Sequence, residues 1–233
     1  MTDERRAITI IRVSGAAVLL LSVVMLVVFP AAPVERNVPG FVSPVVGFEL
    51  ASTPEHVLGI LGHPENPARP AAVAAMNRGN RIDFLFMIAY PALFVGIAWM
   101  LAAHGSLSRM LLGVMIMFAV GMWLGDALEN RELLFLSKAT DPAAMTPSLA
   151  RLQRFTHVKW NAIFGACAVL ALGTLQERGW FRWSGYAFGL AAVSGFAASF
   201  GYLTGIEIGM YLLAIGWIVA YVRAWQSPRP QGG

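Results

Sequence analysis

Charged residues are scarce in this sequence, and their scarcity excludes an ordinary soluble domain. Asp, Glu, Lys and Arg make up 13% of the chain and hydrophobic residues 57%, whereas soluble domains contain about 25% charged and about 45 to 50% apolar residues. Charge is absent from long stretches that include residues 84–103, 110–125, 160–175 and 183–206. A membrane-spanning helix needs about 20 apolar residues. The pattern therefore predicts an integral membrane protein built from α-helices.

Cysteine and lysine are nearly missing as well. The single cysteine, Cys167, lies in an apolar run, so the chain has no intramolecular disulfide and no zinc site built from cysteines. The two lysines, Lys138 and Lys159, fall outside the interior of the late helices, which argues against a retinal protein. Although the formal charge is +4, the basic residues form no run, and we expect no nucleic-acid partner.

Common catalytic and cofactor motifs are absent too. The sequence contains no HExxH or HxxxH, no GxSxG and no GxxxxGK[ST]. These patterns are typical of zinc peptidases, serine hydrolases and phosphate-binding loops. The sequence therefore identifies no cofactor and assigns no metal site.

The apolar stretches predict a bundle of about six membrane-spanning helices in a single domain of residues 1–233. The first apolar stretch, residues 13–29, is longer than the about 7 to 15 residues usual in a signal peptide, so we expect it to be retained. Gly201 and Gly205 supply the turn between the last two helices. The predicted helices cover residues 8–29, 82–103, 107–136, 147–176, 183–201 and 206–224.

Basic residues predict the orientation of the helices. Lys and Arg are denser in the short tails and turns on one side than in the long segments on the other, and dense positive charge in short segments marks the cytoplasmic side. We therefore expect a plasma-membrane protein with both termini in the cytoplasm. The long outer segments would be residues 30–81 and 126–158.

The outer segments contain signals for short helices. Ser43-Pro44 and Thr53-Pro54 each place a capping side chain before a proline, which is how many helices begin. They predict helices over residues 44–51 and 54–61, the second ended by Gly62, that cap the outer end of the bundle.

Small residues at steps of four between 187 and 209 predict close packing inside the bundle, with a homo-oligomer contact as the alternative.

Polar side chains of several predicted helices reach a similar depth in the membrane. At about 1.5 Å per residue, Asp126 lies about 26 Å from Arg109, and Glu207 lies about 24 Å from Arg223. Because ionisable groups in membrane spans normally face the bundle or a water-filled cavity, we expect these faces to meet. The candidate ligand-binding residues are Asp83, Tyr90, Asp126, Glu129, Asn130, Arg154, His157, Asn161 and Glu207.

Four interpretations of this polar layer stay open. It could be a structural network in which Asp126 and Glu129 pair with Arg154 and His157. It could instead line a pocket near the outer leaflet that binds a membrane lipid or a small amphipathic ligand. The same groups would suit an enzyme that acts on a lipid, with acid–base residues or a divalent metal. They would also suit a proton-coupled transporter.

Overall fold

The structure, a computed structural model, describes residues 2–198, 200–202 and 204–226. In these residues it contains eight α-helices, a 3₁₀ turn at Gly179–Arg182 and no strand. The all-α fold predicted from the sequence is confirmed. The helices are α1 (Asp3–Val28), α2 (Pro44–Glu49), α3 (Pro54–Leu61), α4 (Arg69–Ala103), α5 (Arg109–Leu136), α6 (Pro142–Thr174), α7 (Trp183–Ala198) and α8 (Thr204–Gln226).

Five helices in the described part of the chain are long and apolar enough to cross a membrane, namely α1, α4, α5, α6 and α8. The sixth predicted span corresponds to α7, which has 16 residues. It nevertheless runs antiparallel to α6, because Gly185 packs against Leu175 and Gly195 packs against Phe164. The bundle therefore consists of five full-length helices and one shorter one.

Two helices begin earlier than the sequence predicts. The helix expected from residue 82 is α4, which starts at Arg69, and the helix expected from residue 147 is α6, which starts at Pro142. Proline in the first turn suits a helix start, and the Asp141 side chain accepts a hydrogen bond from the backbone N–H of Ala143. Much of the predicted outer segments is therefore helical and extends the bundle.

The long helices pack mainly against their neighbours in sequence. Helix α1 lies against α4, α4 against α5, α5 against α6, α6 against α7 and α7 against α8, and α8 returns to α1. Helices α4 and α6 also contact each other across the interior. The side chains of α4, α5 and α6 can therefore meet in one place.

Both described ends of the chain lie at one end of the bundle. The Arg12 guanidinium donates hydrogen bonds of 2.8 and 3.1 Å to the carbonyl oxygen of Ala224, and His104 lies between Glu4 and Glu177. We call this the terminal end, and the opposite end, which carries α2 and α3, the cap end. That the terminal end is cytoplasmic stays a prediction.

The two short helices form as predicted at the cap end. The Ser43 side chain accepts from the N–H of Val46 at the start of α2, and Thr53 accepts from the N–H of His56 at the start of α3. Gly62 ends α3 with a φ of +90°, a conformation that favours glycine. Most side chains of both helices are buried, so α2 and α3 form part of the core.

Small residues allow close helix contacts inside the bundle, as the sequence predicts. A Cβ atom on Gly125 of α5 would lie 2.8 Å from the backbone nitrogen of Lys159 on α6. A Cβ atom on Gly195 of α7 would lie 2.0 Å from the ring of Phe164. The approach at Gly125 brings the backbone of α5 next to the lysine of α6.

Candidate functional site

A lysine of α6 and four carboxyl groups form a cluster in the interior, towards the cap end. The Lys159 ammonium lies 2.5 Å from Glu129 Oε1, 2.8 Å from Glu49 Oε2 and 3.7 Å from Asp126 Oδ1. Asp83 of α4 completes the group and lies beside Asp126 of α5. We call these five residues the carboxylate–lysine cluster.

Two further polar side chains orient the carboxyl groups of the cluster. The Tyr90 hydroxyl donates a 2.9 Å hydrogen bond to Asp126 Oδ2. The Asn130 side chain donates a 2.6 Å hydrogen bond to Asp83 Oδ2. Both donors come from the helices that carry the carboxyl groups, so α4 and α5 are linked to each other at two points.

The cluster is shielded from solvent. The exposed fraction is 1% for Glu129, 3% for Asp126 and 5% for Lys159. Asp83 and Glu49 are partly buried, and the Glu49 side chain is 15% exposed. Charges in such surroundings are weakly screened. The balance of positive and negative charge in the cluster therefore decides which protonation state is stable.

Negative charge exceeds positive charge in this buried space. With all five side chains ionised, the cluster would carry a net charge of −3. Three of its oxygens, Glu49 Oε2, Asp126 Oδ1 and Glu129 Oε2, are buried and lack a hydrogen-bond partner among the described residues, although the first two lie 2.8 and 3.7 Å from the Lys159 ammonium. An unpaired buried carboxylate is costly, whereas a bound proton removes its charge. The arrangement therefore favours proton binding.

Glu49 differs from the other carboxyl groups because it lies on α2, outside the spanning helices. Burial raises the pKa of its carboxyl group, and this effect outweighs the opposing attraction of Lys159. The indole of Trp160 lies beside Glu49, and the Lys159 ammonium sits 4.9 Å from the centre of that ring. The cap thus supplies one acid of the cluster.

Five of the residues predicted from the sequence meet here: Asp83, Tyr90, Asp126, Glu129 and Asn130. The predicted inward face of α6 is wrong, since Arg154, His157 and Asn161 are exposed. The inner face of α6 carries Lys159 instead, in line with buried apolar neighbours such as Leu152 and Ile163. Burial of these apolar side chains fixes the rotation of the helix and turns the polar face outwards.

Glu207 has a separate role. It is buried near the start of α8, where its carboxylate accepts hydrogen bonds of 3.1 Å from the N–H of Val42 and 2.7 Å from the N–H of Ser43. The described partners of Glu207 are therefore backbone groups of the segment that leads into α2. Its place is at the edge of the cap.

Sequence reasoning missed Glu49 and Lys159. The short helix that contains Glu49 is predictable, but its docking against α6 is not. Lys159, however, follows Leu152 and Thr156 and precedes Ile163 and Ala166 in a heptad-like series of buried positions. That spacing is the signal that could have placed Lys159 inside the bundle.

The cap is tied to α6 by polar contacts beside the cluster. The Thr156 hydroxyl donates to the carbonyl oxygen of Glu49 at 3.0 Å, and the Gln153 amide donates to the carbonyl oxygen of Ala51 at 2.8 Å. Together with the Glu207 contacts, they hold both ends of α2. The position of Glu49 therefore depends on contacts with two membrane helices.

A shallow groove lies on the other side of Trp160, between α6, α7 and the start of α8. Its volume is about 30 Å³. Its lining includes His157, Asn161, Phe164, Ala198 and Ile206. Of the polar residues that α6 turns away from the cluster, His157 and Asn161 thus face this groove.

In the part of the chain that the structure describes, no group of three or more His, Cys, Asp and Glu side chains is arranged to hold a metal ion.

Comparison of the chain with known protein families, with curated proteins and with solved structures found no match.

Proposed function

We propose that this chain is a multi-pass membrane protein whose working part is the carboxylate–lysine cluster, acting as an acid–base centre that takes up and releases protons. The observation that carries the proposal is the meeting of four carboxyl groups with one lysine in a buried space. Such a cluster reaches its most stable form by binding protons, and the number bound changes with pH.

The cap end is the side from which protons reach the centre. Glu49 is the most cap-proximal carboxyl group that contacts Lys159, and its side chain is 15% exposed. On the terminal side, Tyr90 is followed by the rings of Phe94 and Trp217, which pack edge to face with centroids 5.5 Å apart. These rings form an apolar barrier, so the centre opens towards one end of the bundle.

This one-sided access favours an acid–base centre with a local role over a continuous proton path across the membrane. The predicted enzyme and the predicted proton-coupled transporter both need such a centre. A transporter would also need the aromatic barrier to open. A ligand pocket at the cluster itself is less favoured, because its carboxyl groups contact Lys159 and Tyr90 directly.

Infrared difference spectroscopy tests the proposal. The purified protein should show a protonated-carboxyl band at neutral pH whose intensity changes between about pH 5 and about pH 9. Glu129→Gln or Asp126→Asn should remove or shift that band. Glu132→Gln is the matched control, since Glu132 is equally buried but forms an ion pair with Arg151 at 2.9 Å.

Two results would overturn the proposal. The absence of a protonated-carboxyl band at neutral pH would make the cluster a fully ionised structural network. A band that does not change over the whole pH range would show protons that are held permanently, which an acid–base centre cannot use.

A further inference from the structure

The groove between α6, α7 and α8 has a chemical gradient along its length. Its inner lining is apolar and includes Phe164, Ala198 and Ile206. Towards the cap end the lining includes Asn161 and then His157, and Arg154 follows one turn further along α6. Arg154 and Asn161 are separated by about 10 Å along the helix. Charge, polar groups and apolar surface thus succeed one another over a short distance.

The polar groups of this gradient are free to bind a ligand. Arg154 and Asn161 are exposed, and neither side chain has a hydrogen bond or ion pair with another described residue. The His157 ring donates from Nδ1 to the carbonyl oxygen of Gln153, because a carbonyl can only accept. This bond leaves Nε2 facing outwards.

An unpaired amide such as that of Asn161, which lies on the membrane-facing side of a spanning helix, is unfavourable in hydrocarbon. A hydrogen bond to an oxygen atom of a lipid would remove that cost. The unpaired positive charge of Arg154, one to two turns nearer the cap end, matches a phosphate group, which arginine binds with charge-assisted hydrogen bonds. The arginine, the amide and the apolar surface therefore occur in the same order as the phosphate, the ester groups and the acyl chains of a phospholipid.

We propose that the groove binds an anionic glycerophospholipid from the leaflet at the cap end. Its phosphate lies at Arg154 and His157, an ester oxygen accepts from the Asn161 amide, and an acyl chain lies across the mouth of the groove. The groove itself has a volume of only about 30 Å³, room for one or two water molecules, so the lipid lies across its mouth and not inside it. This site does not depend on proton binding at the cluster.

Native mass spectrometry of the full-length protein tests this site. The protein in detergent is mixed with equal amounts of phosphatidylglycerol and phosphatidylcholine that carry the same acyl chains. The wild type should retain phosphatidylglycerol preferentially. Arg154→Gln should lower that preference about tenfold, the change expected for the loss of one charge-assisted contact. Asn161→Leu should weaken the retention of both lipids.

The matched control is Arg81→Gln, which removes an exposed arginine from α4, a helix that contributes no residue to the groove lining. It should retain phosphatidylglycerol as the wild type does. Both test positions are exposed, so the variants should fold, and an unchanged melting temperature would verify this. Equal retention of the two lipids by the wild type would overturn the proposal. So would an equal loss in Arg81→Gln, or a dimer of the chain that forms without bound lipid.

Discussion

The Lys159 ammonium lies 2.8 Å from Glu49 Oε2, so a membrane helix and the cap helix α2 meet in one contact between opposite charges. Lys159 also contacts Glu129 and Asp126 of α5. One side chain therefore links α2, α5 and α6. The consequences of this arrangement can be measured.

Replacement of Lys159 should destabilise the protein strongly at neutral pH. Lys159→Met leaves buried carboxyl groups without their cation, and breaking a buried ion pair in this way costs about 3 to 5 kcal/mol. The loss should become smaller at acid pH, where protons neutralise the carboxyl groups. Thermal unfolding in detergent measures both effects. Lys138→Met is the matched control, because Lys138 is exposed, and an equal effect there would contradict the prediction.

Glu49 should give the stability of the protein a defined pH dependence. Its pKa is raised in the folded protein above the ordinary value near 4.5. A group with a raised pKa contributes stability that is fully present below its ordinary pKa and is lost as the pH rises through the folded value. Glu49→Gln imitates the protonated form, so its melting temperature should fall less than that of the wild type as the pH rises. An identical pH profile would refute this role.

The hydrogen bond from Tyr90 to Asp126 should contribute measurably to stability. Tyr90→Phe removes the donor and leaves Asp126 Oδ2 buried without it, at a cost of about 1 to 3 kcal/mol. Tyr186→Phe is a control at an exposed tyrosine. Chemical or thermal unfolding of the two variants compares these costs, and a Tyr90→Phe variant as stable as the control would count against the bond.

Glu207 should hold the cap in place. Glu207→Ala removes the acceptor for the N–H groups of Val42 and Ser43, so the start of α2 should loosen. A cysteine at the fully buried Ala51, introduced together with Cys167→Ala, reports this through its rate of thiol labelling. Labelling should become faster in Glu207→Ala and stay slower in Glu207→Gln, which keeps one acceptor oxygen. Equal rates in all backgrounds would exclude the role.

The orientation predicted from the basic residues can be tested in the Cys167→Ala background, which contains no other cysteine. A cysteine at Ser52 or Thr140, both exposed towards the cap end, should react with an impermeant thiol reagent in intact cells. One at Ala103, exposed at the terminal end, should react only after the cells are opened. The opposite pattern would place the cap end in the cytoplasm.

Most of the fold follows from local features of the sequence. Stretches without charge predict the spanning helices, since a bilayer excludes charge over about 20 residues. The pairs Ser43-Pro44 and Thr53-Pro54 predict the cap helices, because a cap and a proline act within one turn. The apolar stretches predict the starts of α4 and α6 too late, because both helices begin before the apolar residues, with a proline in the first turn.

The site was predictable only in part. On α5 the acidic residues at 126 and 129 and Asn130 share a face, so their meeting with Asp83 and Tyr90 of α4 follows from helix geometry. On α6 the similar depth and shared face of Arg154, His157 and Asn161 predict the wrong inward side, because the apolar neighbours of Lys159 determine it. The contribution of Glu49 depends on how the cap docks, and this long-range packing has no local signature.

The short length of α7 has a consequence for the surrounding bilayer. Its 16 described residues span about 24 Å, whereas the hydrocarbon core of a typical bilayer is about 30 Å thick. A helix shorter than the membrane draws the two leaflets together or is accommodated at an energetic cost. One flank of this otherwise long-helix bundle is thus matched to a thinner membrane than the rest. The protein should therefore partition into thin bilayers in preference to thick ones, independently of any ligand.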